Sequence, residues 1–428
     1  MSQTAVLAGD ALARKLFSVA LFAQTQRMPG FGRQLTGPSA DAGQALSKIK
    51  GQSVPDMPIV RVTDLTKTAG DTISVDMFGV IGGQPIAGDQ IAEGRGEKLT
   101  SSSMDISVNL LTKAVDAGGK MSQQRTLQDL RTIAMAQLTN YFARLDDQAS
   151  LVHIAGARGF QVQNDWVIPL QSDTANFADV MVNTVKAPTY NRHFVAQNSS
   201  VSLVKGGQQL GSIGVADVMR LEYIDALRVY LDELEYPLQP VRIADDPAAA
   251  DDPMWVMYLS PRQYSSLLLQ ATGTQLRTFQ QNAWNRASYG SKHPLFRGEV
   301  GMWNGILVRK LNRAIRFTTG QSAQVITSAN AATATESAQA LAGAITSSYA
   351  VDRGLLLGAQ ALGNVYGKNK SSDYFFSWLE RRYNFERNME VAGDCMGGKA
   401  KLRFAYDESG VKVPTDHGVI VLDTTVVL

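Results

Sequence analysis

Apolar residues recur in steps of three and four between Ser122 and about Ala157: Leu127, Leu130, Ala134, Leu138, Tyr141, Leu145, Ala149 and Val152. That spacing keeps one stripe on one side of a helix. Gln124, Asp129, Arg131, Gln137, Arg144 and Asp147 fall on the other side, so the segment predicts one long amphipathic helix. Thr126 and Asp129 are spaced as a capping box, Ser122 is an equally good start, and Gly156 and Gly159 stop the run. Roughly 36 residues at 1.5 Å each make a rod of about 50 Å, well beyond the average helix of about 11 residues.

Ahead of this helix the period drops to two. Ile73, Val75 and Met77 alternate with Thr72, Ser74 and Asp76, and Met104, Ile106, Val108 and Leu110 alternate with Asp105, Ser107 and Asn109. Both arms therefore predict strands with one packed face and one wet face, together a long hairpin over residues 71–113. Between them lies a polar, glycine-rich span. A connection of about 20 residues is far above the two to five usual for a hairpin, and loops of that length are functional or disordered. A reaching arm followed by a rigid rod suits a subunit that extends over its neighbours. The candidate inter-subunit contacts are accordingly Gly82, Gly83, Gln84, Gly88, Asp89, Glu93, Arg95, Glu97 and Lys98.

Elsewhere the pattern is coarser. Residues 1–58 hold one modest amphipathic stretch and then a Gly-, Gln-, Ser- and Pro-rich run, which reads as an arm lying on something else. Ile59–Thr63 predicts a short strand, Trp166–Leu170 a strand piece, and 171–212 mostly loop. A second helix is expected over Val215–Leu234. Met254–Leu259 reads as a buried strand, followed by Ser260–Pro261 as the start of a helix. Ile306–Lys310 is a strand, and the basic cluster Arg309, Lys310, Arg313 and Arg316 reads as a solvated strand edge. A contact to an acidic neighbour or to DNA phosphates is the sharper alternative. The Ala-, Ser- and Thr-rich segment 320–350 resembles an insertion or surface loop, and Gly354–Leu362 resumes buried structure. Trp378–Phe385 predicts a strand, while Gly393, Gly397 and Gly398 read as a tight turn. Lys401–Tyr406 and Gly418–Leu428 close the chain as strands. The class is α+β, and the lack of a βαβ rhythm argues against a doubly wound sheet or a TIM barrel.

Composition fits a folded, water-soluble chain: 428 residues, 44% hydrophobic, 19% charged and net charge +2. So small a charge does not advertise nucleic-acid binding. The single cysteine, Cys395, can form no internal disulfide and is expected to be a small buried hydrophobe. No window is apolar enough for a transmembrane helix, and the first residues do not form a secretory signal, so synthesis in a cytoplasm is expected.

Catalytic patterns are missing. His153, His193, His293 and His417 are far apart with no partner at metal-ligand spacing. Gly363–Lys368 falls one residue short of a P-loop, Gly94-Arg-Gly96 lacks the third glycine of a dinucleotide fingerprint, and there is no nucleophile elbow. Asp245, Asp246, Asp251 and Asp252 are dense enough to attract Ca²⁺, but no EF-hand spacing follows and a solvated loop is expected. No cofactor or metal is implied.

The ordered series of segments resembles the major capsid proteins of tailed bacteriophages, with the HK97-type fold. The stretches that carry it are Asp64–Asp71, the glycine-rich hairpin up to Leu99, Gly119–Arg125, Pro188–His193, Leu295–Gly305 and Gly358–Leu362. They span nearly the whole chain, though no single motif is highly specific. The resemblance implies an N-terminal arm (1–58), an extended hairpin or E-loop (59–115), a peripheral domain with a spine helix (116–160), an axial domain with insertions (161–350) and a return to the peripheral sheet (351–428). It implies hexamers and pentamers that build an icosahedral shell around double-stranded DNA, which is contacted non-specifically. Its partners would be a portal, a scaffolding protein and optionally a decoration protein, with no membrane. Residues 1–58 are too short for a fused scaffolding domain, so the scaffold would be separate. Such a protein is not an enzyme. Its place is the virion capsid, after synthesis in the host cytoplasm. An encapsulin-type cellular compartment shares the fold and is the alternative within this class. A soluble hydrolase with a dispersed active site is the alternative from another class.

Overall fold

Strands dominate, as the many short alternating runs require. The computed structural model describes residues 31–36, 56–62, 70–78, 85–86, 93, 101–125, 130–161, 166–197, 202–234, 236–242, 253–287, 300–328, 335–367, 376–385, 387–408 and 411–428; these are the described residues. Helix α1 (Phe31–Leu35) and strand β1 (Ile59–Val62) precede the hairpin arms β2 (Thr72–Phe78) and β3 (Ser101–Ser107). Strand β4 (Asn109–Gly119) leads into helices α2 (Lys120–Arg125) and α3 (Leu130–Ala155). Then come α4 (Thr174–Met181), β5 (His193–Gln197), β6 (Ser202–Lys205), α5 (Leu221–Glu233), β7 (Trp255–Leu259), α6 (Pro261–Gln270) and α7 (Gly273–Ala287). Strands β8 (Val300–Trp303), β9 (Ile306–Lys310), β10 (Arg316–Phe317), β11 (Ser322–Ile326), β12 (Glu336–Ala340) and β13 (Tyr349–Leu357) follow. The chain closes with β14 (Leu362–Tyr366), β15 (Phe376–Tyr383), β16 (Asn388–Lys401), β17 (Arg403–Glu408), β18 (Val411–Asp416) and β19 (Val419–Val427).

Two sheets carry the architecture. The larger has the order β6-β5-β19-β13-β7-β9-β8, with β10 also on β13. Its centre, Leu355–Leu357 opposite Val419–Val421, is fully buried. One apolar cluster covers one face, and helices α5, α6 and α7 cover the other. That is why these strands read as unbroken apolar runs rather than as alternation. The smaller sheet is organised on β16. Strand β4 pairs along one edge, and Gly397 pairs with both Asn109 and Tyr366, so β14 and β15 lie in series on the other edge.

Helix α3 joins the two sheets. Ala134, Leu138 and Leu145 of the predicted stripe are buried against the β16 sheet together with Trp378 and Val391, and Phe142 is buried with them where the expected Tyr141 is only half-buried. Its last residues, Gln148 to Ala155, are buried on every side, and Leu151 and Ile154 enter the core of the large sheet. Gly156 ends the helix at φ +68°, where a side chain would stand 2.6 Å from the Lys186 carbonyl oxygen. Helix α6 starts as expected, with a reciprocal capping box between Ser260 and Gln263 and Pro261 in the first turn.

Several expectations are corrected. The helix predicted over 122–157 covers α2 and α3 and already begins at Lys120, so Ser122 lies within it; Thr126 and Asp129, the other expected start, fall outside the described residues. Trp166–Leu170 is not a strand, because the Val167 and Ile168 N–H groups donate to the Gln148 side chain at 2.8 and 3.3 Å. The expected loop at 171–212 contains α4, β5 and β6, and the helix placed at Val215 starts at Leu221. Segment 320–350 is not a surface insertion: β11 and β12 pair, and Val325 and Ile326 sit in the core. Gly393, Gly397 and Gly398 form no turn but lie inside β16. In the basic cluster Lys310 is exposed as expected, but the three arginines are no solvated edge. Arg309 is buried, Arg313 Nη1 lies 2.9 Å from Asp147, and Arg316 grips Asp352 with two bonds of 2.6 and 2.7 Å. The Asp245–Asp252 segment lies outside the described residues. No described helix is long and apolar enough to cross a membrane.

Arg131 corrects the sequence reading in energy as well as place. It bonds Glu380 at 2.7 Å, and that side chain is 4% exposed. Leu138→Ala should therefore lower stability by roughly 2–5 kcal/mol, and Gln137→Ala on the exposed side by less than about 0.5 kcal/mol. Arg131→Ala should fall between them, at roughly 1–3 kcal/mol, because it removes the cation from a buried carboxylate and leaves it only the Trp378 Nε1 donor at 2.7 Å among the described bonds. Chemical denaturation of the three variants orders them; equal effects would mean the helix is phased differently.

Candidate assembly site

The described arms of the hairpin are anchored on their own subunit. Strands β2 and β3 pair from Thr72↔Ser107 to Phe78↔Ser101, with Ile73 opposite Ile106 and Val75 opposite Met104. This apolar face packs on Val62, Leu402, Phe404 and Tyr406. The Ala405 N–H donates to Ser102 Oγ at 3.0 Å, which fastens the arm to β17. The opposite face, with Ser74, Asp76, Ser103 and Asp105, is exposed.

Two residues set the hairpin's angle to the β16 sheet. Asn183 accepts from the Ser107 N–H at 2.9 Å and donates to the carbonyls of Ser107 at 2.9 Å and Lys399 at 3.1 Å. One amide thus satisfies backbone groups of both the arm and the sheet. Beside it, a Cβ at Gly398 would stand 1.9 Å from the Ser107 oxygen, so glycine is what lets the two backbones touch.

Behind the root lie buried charges that make the base stiff. Asp416 is fully buried, with Lys401 Nζ and Arg403 Nε each at 2.8 Å. Burial alone would raise the Asp416 carboxyl, but Arg403 and Lys401 outweigh it and hold it below the usual range. Burial lowers the Lys401 amine to about 8, against the pull of Asp416. Arg192 Nε donates to the Asp416 carbonyl at 3.1 Å and its Nη2 to the Tyr236 carbonyl at 2.6 Å. Deeper in, Arg353 holds Asp423 by two bonds of 2.9 Å and donates to the Ala155 carbonyl at the end of α3, also at 2.9 Å. His193 Nε2 donates to the same carboxylate at 2.7 Å. None of these side chains was singled out from sequence as part of a site. The signal was there, in single charges set within apolar strand runs.

Of the nine candidate contact residues, Glu93 is exposed in a turn. Gly82, Gly83, Gln84, Gly88, Asp89, Arg95, Glu97 and Lys98 lie outside the described residues. Among the described residues no group of three His, Cys, Asp or Glu could hold a metal. Cys395 is a free, half-buried thiol packed against the α3 core, and burial pushes it up to about 12.

A family model described as phage capsid protein matches residues 4–428. The chain belongs to the phage capsid protein family. Solved structures agree in fold. The capsid of Ralstonia phage GP4 is similar with a TM-score of 0.70 and 21% identity, over 100% of this chain and 95% of that one. The cyanophage Pam1 capsid is similar with a TM-score of 0.56 and 16% identity, over 100% of both chains. The capsid of Helicobacter pylori bacteriophage KHP30 gives 0.54 and 12%, over 93% and 92%. No curated protein matches in sequence. The expected α+β class and the role of phage shell subunit therefore hold. The root geometry belongs to a structural protein that assembles with its own copies.

Two outcomes follow for this capsid protein. Gly398→Ala should push the arm off the sheet and cost roughly 1–3 kcal/mol, as overpacking does. Hydrogen exchange should then rise in β2 and β3 but not in β13 or β19; unchanged exchange in the arms would contradict the contact. The second concerns acid. Burial lowers His153 to about 3 and His417 to about 4, with nearby Lys399 and Arg192, respectively, adding to the effect. Both folded values lie below the unfolded one of about 6.5, so the unfolded chain binds more protons below that pH. Stability should be full near pH 7 and fall as pH drops from about 6.5 towards 4, by up to about 1.4 kcal/mol per pH unit for each histidine. Urea midpoints at several pH values would show it, and His153→Phe should flatten the slope. A pH-independent midpoint would contradict it.

Proposed function

We propose that this chain is the major shell subunit of a tailed bacteriophage, with the HK97-type division of labour. Residues 1–58 serve as the N-terminal arm, 59–115 as the extended hairpin, 116–160 as the peripheral domain with its spine, 161–350 as the axial domain, and 351–428 as the return to the peripheral sheet. Copies close into hexamers and pentamers, and these into a shell around double-stranded DNA. A separate scaffolding protein and a portal take part in assembly, which occurs in the host cytoplasm. The chain acts by binding and not by catalysis.

The observation that carries this reading is the unequal hairpin. Its root is fixed by Asn183, Gly398 and an apolar cluster, while one face of both arms is left wet. A packed inner face with a wet face opposite it is what overlap with a neighbour needs. In a closed symmetric assembly every contact repeats, so modest contacts add up. The near-neutral net charge of +2 suits a wall that must not adhere to its packaged DNA.

Replacing Gly82–Arg95 by a short Gly-Ser turn tests this. The glycine-rich tip can bury little of its own surface, and contact with a neighbour must outweigh the entropy of ordering it. The isolated subunit should melt as before yet, co-expressed with its scaffold, fail to form closed shells in micrographs. Normal shells would refute the hairpin's role. A collapsed melting temperature would place the tip inside its own subunit's core.

A further inference from the structure

A small cavity lies between helix α3 and the sheet it carries. Phe142, Leu145 and Ala149 line it from α3, and Phe376 and Cys395 face them from β15 and β16. Steps of three and four put His153 on the same side of α3, one turn farther on, where it also lines the cavity. The end of α4 forms the rim, with Val180 and Val182 half-buried there. The volume is about 50 Å³. That is room for about four water-sized groups.

One atom of this wall lacks a partner. Among the described residues that line the cavity, His153 Nε2 is the one side-chain nitrogen or oxygen that is buried without a hydrogen bond, and the residue is 2% exposed. Burial lowers the ring to about 3, so it is neutral near pH 7. Its hydrogen bond to the Met181 backbone favours the charged form, so there the ring donates to a carbonyl. Nδ1 therefore carries the proton, and Nε2 is a bare acceptor. Other polar groups of the wall are satisfied. Asn364 donates to Tyr366 Oη at 3.0 Å, and Lys399 Nζ reaches Asp146 at 2.7 Å and Ser150 at 2.8 Å. The Cys395 thiol adds only a weak donor.

The rim is strained beside that acceptor. Val182 has φ +60° and ψ −63°, and the Asn183 N–H donates to the Met181 carbonyl at 2.6 Å. This is the γ-turn with positive φ, which is rare, and a β-branched residue fits it poorly. Backbone strain of this kind gathers at ligand clamps. We infer that the cavity binds a small neutral alcohol, its carbon end among Phe142, Leu145 and Phe376 and its hydroxyl donating to His153 Nε2. Mostly apolar walls with one placed polar group are the make-up of a small-molecule site. A hydrocarbon or an ether fills the space but leaves the buried acceptor unmet, which is costly. An ammonium or carboxylate would lose its water against apolar walls. With about four non-hydrogen atoms to bury, binding is expected at millimolar concentration. The cavity belongs to one subunit, so its occupancy is read without assembly.

Saturation-transfer NMR on the full chain tests this with two isomers, 1-propanol and methoxyethane, which share every atom but differ in the donor. 1-Propanol should bind saturably and at least about 5-fold more tightly than the ether, the worth of one hydrogen bond. Hydrogen exchange at the Val182 and Asn183 amides should slow when 1-propanol is present, while β13 is unchanged. His153→Leu should reduce 1-propanol binding to the level of the ether, and Ala149→Leu, which fills the cavity, should abolish it. The isomer comparison and the exchange need only the parent chain, so they decide even where a variant fails to fold. No saturable binding of 1-propanol, or equal binding of the two isomers, would overturn the inference. Binding that leaves exchange at Val182 and Asn183 unchanged, or that survives Ala149→Leu, would lie elsewhere and overturn it too. Full binding by His153→Leu would remove the acceptor's role and with it the alcohol.

Discussion

Arg353 and Asp423 face each other at the centre of the large sheet with no exposure to solvent. Burying two ions costs several kcal/mol each, and only good geometry with further hydrogen bonds offsets it. Here the geometry is bidentate, His193 adds a third bond, and the remaining guanidinium donor goes to the carbonyl of Ala155. Burial alone would raise the Asp423 carboxyl, but Arg353 and His193 reverse this and hold it far below the usual range. Four elements, β5, β13, β19 and α3, therefore share one charge cluster. A slip of β19 by one residue would set Arg353 opposite Leu422 or Thr424 and leave an ion unpaired in the core. The pair thus fixes register as well as adding contacts.

From that point the rest of the subunit is positioned by short steps. Arg353 pins the end of α3, and α3 carries the β16 sheet on its apolar stripe. Lys399 on β16 reaches back to Asp146 at 2.7 Å and Ser150 at 2.8 Å on α3. The same end of that strand, at Gly398, meets the hairpin root, where Asn183 and the Asp416 cluster complete the base. A stiff chain of contacts leads from the core of one sheet to the arms of the hairpin. Rigidity inside and an uncommitted surface outside fit the task of a shell subunit.

Much of this was legible from periodicity. The hairpin arms, the α3 stripe, the buried strand at Met254–Leu259, the Ser260–Pro261 cap and the closing strands follow from local pattern, because packing and pattern agree there. Failures have physical causes. Gly393, Gly397 and Gly398 look like a turn, yet β16 uses glycine so that another backbone can touch it, which requires knowledge of the partner strand. Segment 320–350 looked like an insertion because small polar residues hide a two-stranded unit whose core contribution is only Ala323, Val325 and Ile326. Arg316 and Arg313 looked solvated because their carboxylates, Asp352 and Asp147, are distant in sequence. Phe385 looked like strand for the opposite reason: an aromatic in a strand run reads as core, and only the fold leaves it bare in the turn after β15.

Cryo-electron microscopy of particles formed by the full chain is the most direct test of the central claim. The account predicts closed shells in which the arms Thr72–Phe78 and Ser101–Ser107 keep their contacts with β17 of their own subunit while the residues between them, 79–100, lie across the adjacent one. Residues 79–100 folded back on their own subunit, with neighbours joined through other surfaces, would contradict it.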